Sequence, residues 1–326
     1  MSPLFGPLAL LAATVAGAVV LALLRRVGDW TRRRALQLAV LAAPLPGLAL
    51  GIAAVHHATG RLCPIGAPPW DYRLDTVVVL LMELGAIGGL ATGLARLLLL
   101  CAMLARRGFA APDAVQARAN ALADRLGVRR PRVRVCPRNS PLALTWGLCR
   151  PTVLLSTWML ARLDAEELDA VIAHELGHVL RRDFLIVALA TVLRDAFCYL
   201  PTSRAAYRRL QAEKEPACDE LAVQSTLRPL ALASALARVW EYAVIGAAVE
   251  PIPSLTDRRA PVEERIERLM HWSPPPVAEE SRRGGMFAPG FGLSAGAALT
   301  LLTFSGAAAL LSPMSCGAMS PLSRLF

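Results

Sequence analysis

Polar and apolar positions along this chain are patterned on two scales. On the coarse scale, four long runs almost free of charge stand out: Leu4 to Leu24, Ala35 to Val55, Thr76 to Ala95 and Phe287 to Leu311. A helix needs about 20 apolar residues to cross a hydrocarbon layer roughly 30 Å thick, so each run predicts a membrane span. On the fine scale, Leu168, Val171, Ile172, Leu176, Val179 and Leu180 repeat at helical spacing between Asp164 and Arg182. Asp164 followed three residues later by Glu167 is a capping-box start for that helix. Pro112 to Leu126 reads as a helix stopped by Gly127, and Arg132 to Cys136, Leu142 to Trp146 and Thr152 to Leu155 read as short strands, the last two separated by Gly147 and Pro151. Phe184 to Leu200 is apolar at first, is short for a crossing, and carries Arg194 and Asp195. It is expected to return to the side it left, as a buried, interfacial or re-entrant helix.

Composition agrees with a membrane protein. The 326 residues are 55% hydrophobic, with a mean hydropathy of +0.46. Basic residues set the predicted orientation, because cytoplasmic loops carry the Lys/Arg excess. Arg25, Arg26, Arg32, Arg33 and Arg34 lie between the first two runs, and Arg106, Arg107, Arg118, Arg125, Arg129, Arg130, Arg132 and Arg134 follow the third. Both regions are expected in the cytoplasm, with the His56 to Asp75 loop and both chain ends outside. No basic residue precedes the first apolar run, so it reads as a retained span rather than a cleaved signal. In the third run Gly85, Gly89 and Gly93 form a smooth stripe for close helix approach, and Glu83 is expected to face a partner helix or a wet cavity.

The net charge of +10 is mostly arginine facing anionic lipid, worth about 1 kcal/mol per residue near the surface. No basic module with interleaved aromatics is found, so direct nucleic-acid binding is not expected. Seven cysteines form no CxxC pair, which argues against a zinc ribbon or a redox motif. Cys63 and Cys316 both fall outside the cytoplasm, where a disulfide is permitted and two unpaired thiols fit equally well.

The chemistry concentrates in His174-Glu175-Leu176-Gly177-His178. On a helix, residues four apart lie about 5–6 Å apart on one face, so both histidines can aim a ring nitrogen at one metal ion. Glu175 stands beside them as a base for water. Glu215-Pro216-Ala217-Cys218-Asp219 has the form ExxxD, which puts Glu215 and Asp219 on one face. By spacing Glu215 is the third ligand, and Asp219 accepts a hydrogen bond from a ligand histidine. Glu213 and Glu220 read as solvated surface. Two His and one Glu leave a fourth position for water, whose pKa would fall to about 7. Leu142, Ala143, Leu144, Thr145 and Trp146, entered through Asn139, Ser140 and Pro141, offer a sheet edge with which an extended peptide could pair. Turn chemistry alone also accounts for the three residues leading in.

With HELGH at 174 to 178, EPACD at 215 to 219 and four apolar runs, the chain resembles the BlaR/MecR-type membrane metallopeptidases, gluzincins related to the HtpX and CaaX-prenyl-protease branch. The likeness is densest from Asn139 to Met270. It includes Ser140-Pro141-Leu142-Ala143, Arg150-Pro151-Thr152-Val153-Leu154-Leu155, Arg181-Arg182-Asp183 after HELGH, and Arg265-Ile266-Glu267-Arg268-Leu269. The resemblance implies one Zn2+ bound by His174, His178 and Glu215, with Glu175 as general base, Asp219 behind the ligands and residues 142–146 as substrate edge. It also implies a protein substrate, either a cytoplasmic repressor or the chain itself, and thus a role in signal transduction.

Three departures qualify it. The family's sensors continue into a penicillin-binding domain, whereas Ser312 to Phe326 is all that follows here, so β-lactam sensing is not expected. Pro216 stands next to the proposed ligand and would kink a helix unless it lay in the first turn. Ala260 replaces a histidine common in the HtpX-like branch, leaving Arg265 as the candidate oxyanion stabiliser, with an exposed helical arginine as the plainer reading.

The expected fold is therefore a mainly α membrane protein with four transmembrane helices and a cytoplasm-facing α+β gluzincin-like metalloprotease domain containing a small sheet. Its layout is a three-span region over 1–105, the protease domain over 106–285, a fourth span over 286–312 and a short outer tail over 313–326. A regulatory endopeptidase in the cell membrane is the expected function. An HtpX-like quality-control protease and a non-catalytic, zinc-stabilised receptor or scaffold are the alternatives.

Overall fold

The computed structural model describes residues 14–15, 17–23, 30–44, 69–147, 150–249 and 256–273. Its helices are α1 (Trp30–Ala42), α2 (Pro69–Ala105), α3 (Asp113–Arg125), α4 (Thr157–Arg162), α5 (Ala165–Leu180), α6 (Asp183–Ala196), α7 (Pro201–Thr226), α8 (Pro229–Val249) and α9 (Thr256–Met270). The strands are β1 (Phe109–Ala110), β2 (Arg132–Cys136), β3 (Ala143–Trp146) and β4 (Thr152–Ser156). The fold is thus mainly helical with one small mixed sheet. Two compact units divide the chain, one of residues 1–95, 189–210 and 286–326, the other of 96–188 and 211–285.

In the second unit the sheet runs β1-β2-β4-β3, with β2 and β4 parallel and the two flanking strands antiparallel to their neighbours. β4 is buried along its whole length, which is why Thr152–Ser156 reads as an almost unbroken apolar run rather than an alternation. β3 is an outer strand, registered on β4 from Ala143↔Leu155 to Trp146↔Thr152, and it lies against α5. Gly147, with φ +101, closes the turn between them at a conformation an L side chain rarely adopts.

α5 begins where the sequence predicts. Asp164 Oδ1 accepts hydrogen bonds from the Glu166 and Glu167 amides, and Glu167 Oε2 accepts one from the Asp164 amide. Glu167 is buried, and burial by itself would push its carboxyl pKa up. Hydrogen bonds from Ser234 at 2.5 Å, the Asp164 amide and Arg238 at 2.8 Å outweigh that and hold it below the ordinary value. The inward face of α5, with Ile172, Ala173 and Leu176 fully buried, joins one core with Leu122 of α3, Val153 and Leu155 of β4, and Leu232 of α8. Each fully buried aliphatic side chain of that size contributes about 1.5–3 kcal/mol. Arg118 of α3 forks onto Asp169 at 2.7 and 2.8 Å on the more open side.

α2, a single 37-residue helix, lies in the first unit up to Ala95. Among the described residues its span-like stretch is Leu84–Leu104, which overlaps the expected Thr76 to Ala95. The helix does not stop at Arg96, which is exposed, and the leucines beyond it extend the apolar surface to Leu98, Leu99, Leu100 and Met103, all exposed. Among the described residues this is the one helix long and apolar enough to cross a membrane. The other three expected spans fall wholly or partly outside the described residues. The first and second runs are described only in part, and the helix of the second begins at Trp30, so Arg32, Arg33 and Arg34 belong to α1 rather than to a loop. The fourth run, the outer tail, Cys63 and Cys316 lie outside the described residues.

The partner of the glycine stripe is α6. A Cβ at Gly89 would stand 2.6 Å from backbone atoms of Asp195 and Ala196, and one at Gly93 would stand 3.2 Å from Val192 Cα. Position 89 faces 196 and 93 faces 192, so the two helices run antiparallel. Gly85 meets nothing within 4 Å. At the end of α6 Arg194 pairs with Asp195 at 2.6 Å and lies 4.3 Å from the centre of the Tyr207 ring. The tail of Phe184 to Leu200 is therefore a helix packed on α2, with its charges tied to each other.

Two outcomes test this packing. Gly89→Val forces α2 and α6 apart and is expected to lower the thermal midpoint of the purified protein by several degrees, whereas Gly85→Val leaves it unchanged. Asp164→Ala removes the cap of α5 and is expected to cost about 1 kcal/mol in denaturant titration.

Candidate metal centre

The catalytic-looking residues arrive on three helices and one strand. His174, Glu175 and His178 sit on the buried part of α5, Glu215 and Asp219 on α7, Arg265 on α9, and Thr145 on β3. Gly177 is where α5 meets α7: a Cβ there would make ordinary contact with Cys218 at 3.4 Å.

The two imidazoles stand 4.9 Å apart with their rings nearly perpendicular. His174 Nε2 lies 3.4 Å from Glu215 Oε2, and His178 Nε2 lies 4.0 Å from Glu215 Oε1. One ligand atom from each of the three residues falls within 4.8 Å of the others, which suits a shared cation at N and O donors about 2.0–2.2 Å away. The opposite ring edges face aspartates. His174 Nδ1 is 2.9 Å from Asp219 Oδ1, and His178 Nδ1 is 2.9 Å from Asp183 Oδ2. An ionised carboxylate only accepts, so the hydrogen bond at His178 puts the ring proton on Nδ1 and leaves Nε2 with its lone pair toward Glu215; at His174 the approach to Asp219 is an ion-pair distance without hydrogen-bond geometry. Two N donors and one O donor converging in this way fit zinc.

Electrostatics agree with a site built for positive charge. Burial disfavours the imidazolium of His174, but Asp219 and Glu215 outweigh it and raise its pKa from 6.5 to about 9 when no cation shares the site. Burial would likewise raise Glu215 and Asp219, yet His174 and Arg265 hold both carboxyls below their ordinary values. The Arg265 guanidinium donates to Asp219 at 2.7 and 2.8 Å and approaches Glu215 Oε2 at 3.3 Å. It is a buried part of the carboxylate array rather than an exposed helical arginine.

Glu175 Oε2 accepts a 2.7 Å hydrogen bond from the Thr145 hydroxyl, linking the outer strand to the carboxylate beside the histidines. Ala143, Leu144, Thr145 and Trp146 form β3, while Leu142 precedes it and exchanges hydrogen bonds with Ser156. The Trp146 side chain is buried with Cys136 and Leu154, so that residue offers only its backbone to an edge. Pro216 lies inside the 26-residue α7, not in its first turn, and Glu215 occupies the position just before it. Ala260 is in α9.

Sequence reasoning missed two neighbours. Asp183 had a visible signal, an acidic residue at the turn closing the HExxH helix. Cys218, whose Sγ is 3.1 Å from His178 Nδ1 and 3.5 Å from Asp183 Oδ2, had only its place inside ExxxD. Burial pushes the Cys218 thiol pKa well up, so it stays protonated.

A family profile described as BlaR1 peptidase M56 matches residues 53–230, more than half of the chain and inclusive of HELGH and EPACD. The chain belongs to this family. M56 membership makes it a peptidase relative and agrees with the resemblance to BlaR/MecR-type metallopeptidases. It is also similar to a protease HtpX homolog of Sulfurihydrogenibium sp. (37% identical over 81 residues, 24% of this chain and 27% of the relative). Protease HtpX of Acinetobacter baylyi is 35% identical over 78 residues, 23% and 26% of the two chains. A protease HtpX homolog of Pyrococcus furiosus is 37% identical over 81 residues, 24% and 28%. The chain spans about a quarter of the length of these curated relatives.

The raised His174 pKa carries a stability prediction for the M56 chain held in chelator. A group whose folded pKa lies above its unfolded value stabilises the fold below the unfolded pKa and loses that contribution as pH rises through the folded one. The thermal midpoint in chelator is expected to fall between pH 6.5 and about 9, and His174→Gln is expected to flatten that dependence.

Proposed function

We propose that this M56 chain is an integral membrane, zinc-dependent endopeptidase whose site faces the cytoplasm. The observation that carries the reading is the convergence of His174 Nε2, His178 Nε2 and the Glu215 carboxylate within 4.8 Å, each ring backed by an aspartate. These three residues would hold one Zn2+. Zinc, when bound, supplies Lewis-acid polarisation of a carbonyl and acidifies water. The chain's own groups do the rest. Glu175, steadied by the Thr145 hydroxyl, takes the proton of the attacking water and passes it to the leaving amine. Asp219, gripped by Arg265, keeps the His174 ring in one tautomer. That grip makes Arg265 a positioning residue in this reading, in place of the oxyanion stabiliser expected from sequence.

An extended peptide would pair with β3 through the backbone of residues 142–146, which brings its chain past Glu175. The layout proposed is three spans within 1–105, the protease domain over 106–285, a fourth span over 286–312 and an outer tail over 313–326. The bilayer is then a standing partner. The M56 match favours a regulatory role, the cleavage of a cytoplasmic repressor or of the chain itself, without direct contact to nucleic acid. The local likeness to HtpX proteases favours a second reading, quality control of membrane proteins.

Metal analysis and a self-cleavage assay test the enzyme reading. The wild type is expected to carry one zinc, and Glu175→Gln to keep that zinc while losing about 10²- to 10⁴-fold in cleavage rate. A wild type without stoichiometric zinc, or full cleavage by Glu175→Gln, sinks it; a phenotype that survives Glu175→Gln but not His174→Ala points to a zinc-stabilised scaffold. In cells carrying Glu175→Gln, one accumulating repressor supports regulation, and many accumulating membrane-protein fragments support quality control.

A further inference from the structure

The turn between α5 and α6 is costly in three ways. Arg181 and Asp183 are both buried, 5% and 4% exposed, so two charges are removed from water within three residues. Arg182 between them has φ +54, the left-handed conformation that at this place after a helix is usually left to glycine. The turn has no slack: the Arg182 amide still bonds to Val179, and its carbonyl already accepts from Ile186 of α6. What the expense achieves is visible at Asp183. Its Oδ2 receives His178 Nδ1 at 2.9 Å, Arg181 Nε at 3.0 Å and the Cys218 thiol at 3.5 Å.

We propose that the Arg181-Arg182-Asp183 turn is a positioning device for His178: Asp183 holds the Nδ1 proton, Arg181 holds Asp183, and Nε2 is thereby presented to the cation. The inference rests on the cation site proposed above. It makes the site symmetric, since His174 is held by Asp219 and Arg265 from α7 and α9, and His178 by Asp183 and Arg181 from a turn of its own. His178, Asp183 and Cys218 also stand close enough to hold an ion themselves. A carboxylate already engaged by a guanidinium argues against that use.

The experiment is zinc competition against a chromophoric chelator, with the full chain in detergent, alongside thermal unfolding with and without chelator. In Asp183→Asn the ring faces a neutral amide instead of a carboxylate: its oxygen is a weaker acceptor for Nδ1–H, and its NH2, where it turns to the ring, favours the Nε2–H tautomer, which has no lone pair for a metal. Zinc affinity is expected to fall about 10- to 100-fold. The midpoint in chelator is expected to change little while the zinc-induced rise shrinks, a split that a purely structural role would not produce. Asp183→Glu restores a carboxylate and is expected to bind more tightly than Asp183→Asn. Should Asp183→Asn fail to fold, Arg181→Lys carries the test, with a smaller fall expected. Wild-type affinity in Asp183→Asn, or in Arg181→Lys where that variant stands in, overturns the device, as does no recovery in Asp183→Glu. An intense thiolate-to-cobalt absorption in the cobalt-loaded wild type overturns it too. A wild type that takes up no zinc instead overturns the cation site itself.

Discussion

Two imidazoles four residues apart on a helix aim at one point only if their far edges are held, and here both are held by carboxylates that come from elsewhere in the chain. His174 Nδ1 meets Asp219 of α7, and His178 Nδ1 meets Asp183 at the start of α6, each at 2.9 Å. Much of the second unit serves that arrangement. α5 is fixed by its capping box and by the Glu167 network to α8, its inward face is filled with aliphatic side chains, and α7 packs on it at Gly177, bringing Glu215 and Asp219 to the rings. Breaking one member of such an array strands a buried charge, so its parts stand or fall together.

The same economy explains why three arginines do different work. Arg265 neutralises two carboxylates that would otherwise repel one another, Arg238 covers the buried Glu167, and Arg181 underwrites Asp183. Arg265 and Arg238 thereby help hold their carboxyls below the ordinary range, where desolvation alone would raise them. The edge strand enters through one side chain, Thr145, whose hydroxyl joins the backbone that would meet a peptide to the carboxylate that would act on it.

Much of the local structure was legible because it depends on neighbours in sequence. The capping box at Asp164 and Glu167, the strand Arg132–Cys136 and the stop at Gly127, with φ +64, follow from residues within a turn or two of each other. The helix of the third apolar run continues past the single exposed Arg96, because the apolar face resumes beyond it. Arg265 was singled out as a site candidate, but a lone arginine on a polar helix carries no sign that its head turns inward to Asp219 and Glu215.

By itself, then, the sequence determined the helix that bears HELGH, the i,i+4 pairing of its histidines and the amphipathic limits of the elements around it, because all of these are set by backbone periodicity and local hydrogen bonds. Only the tertiary structure decided which carboxylate faces which imidazole nitrogen, that Thr145 reaches Glu175, and that Gly89 and Gly93 receive α6 while Gly85 receives nothing. Those contacts join residues far apart in the chain or on different helices. Their partners are selected by packing and burial, which no local pattern records.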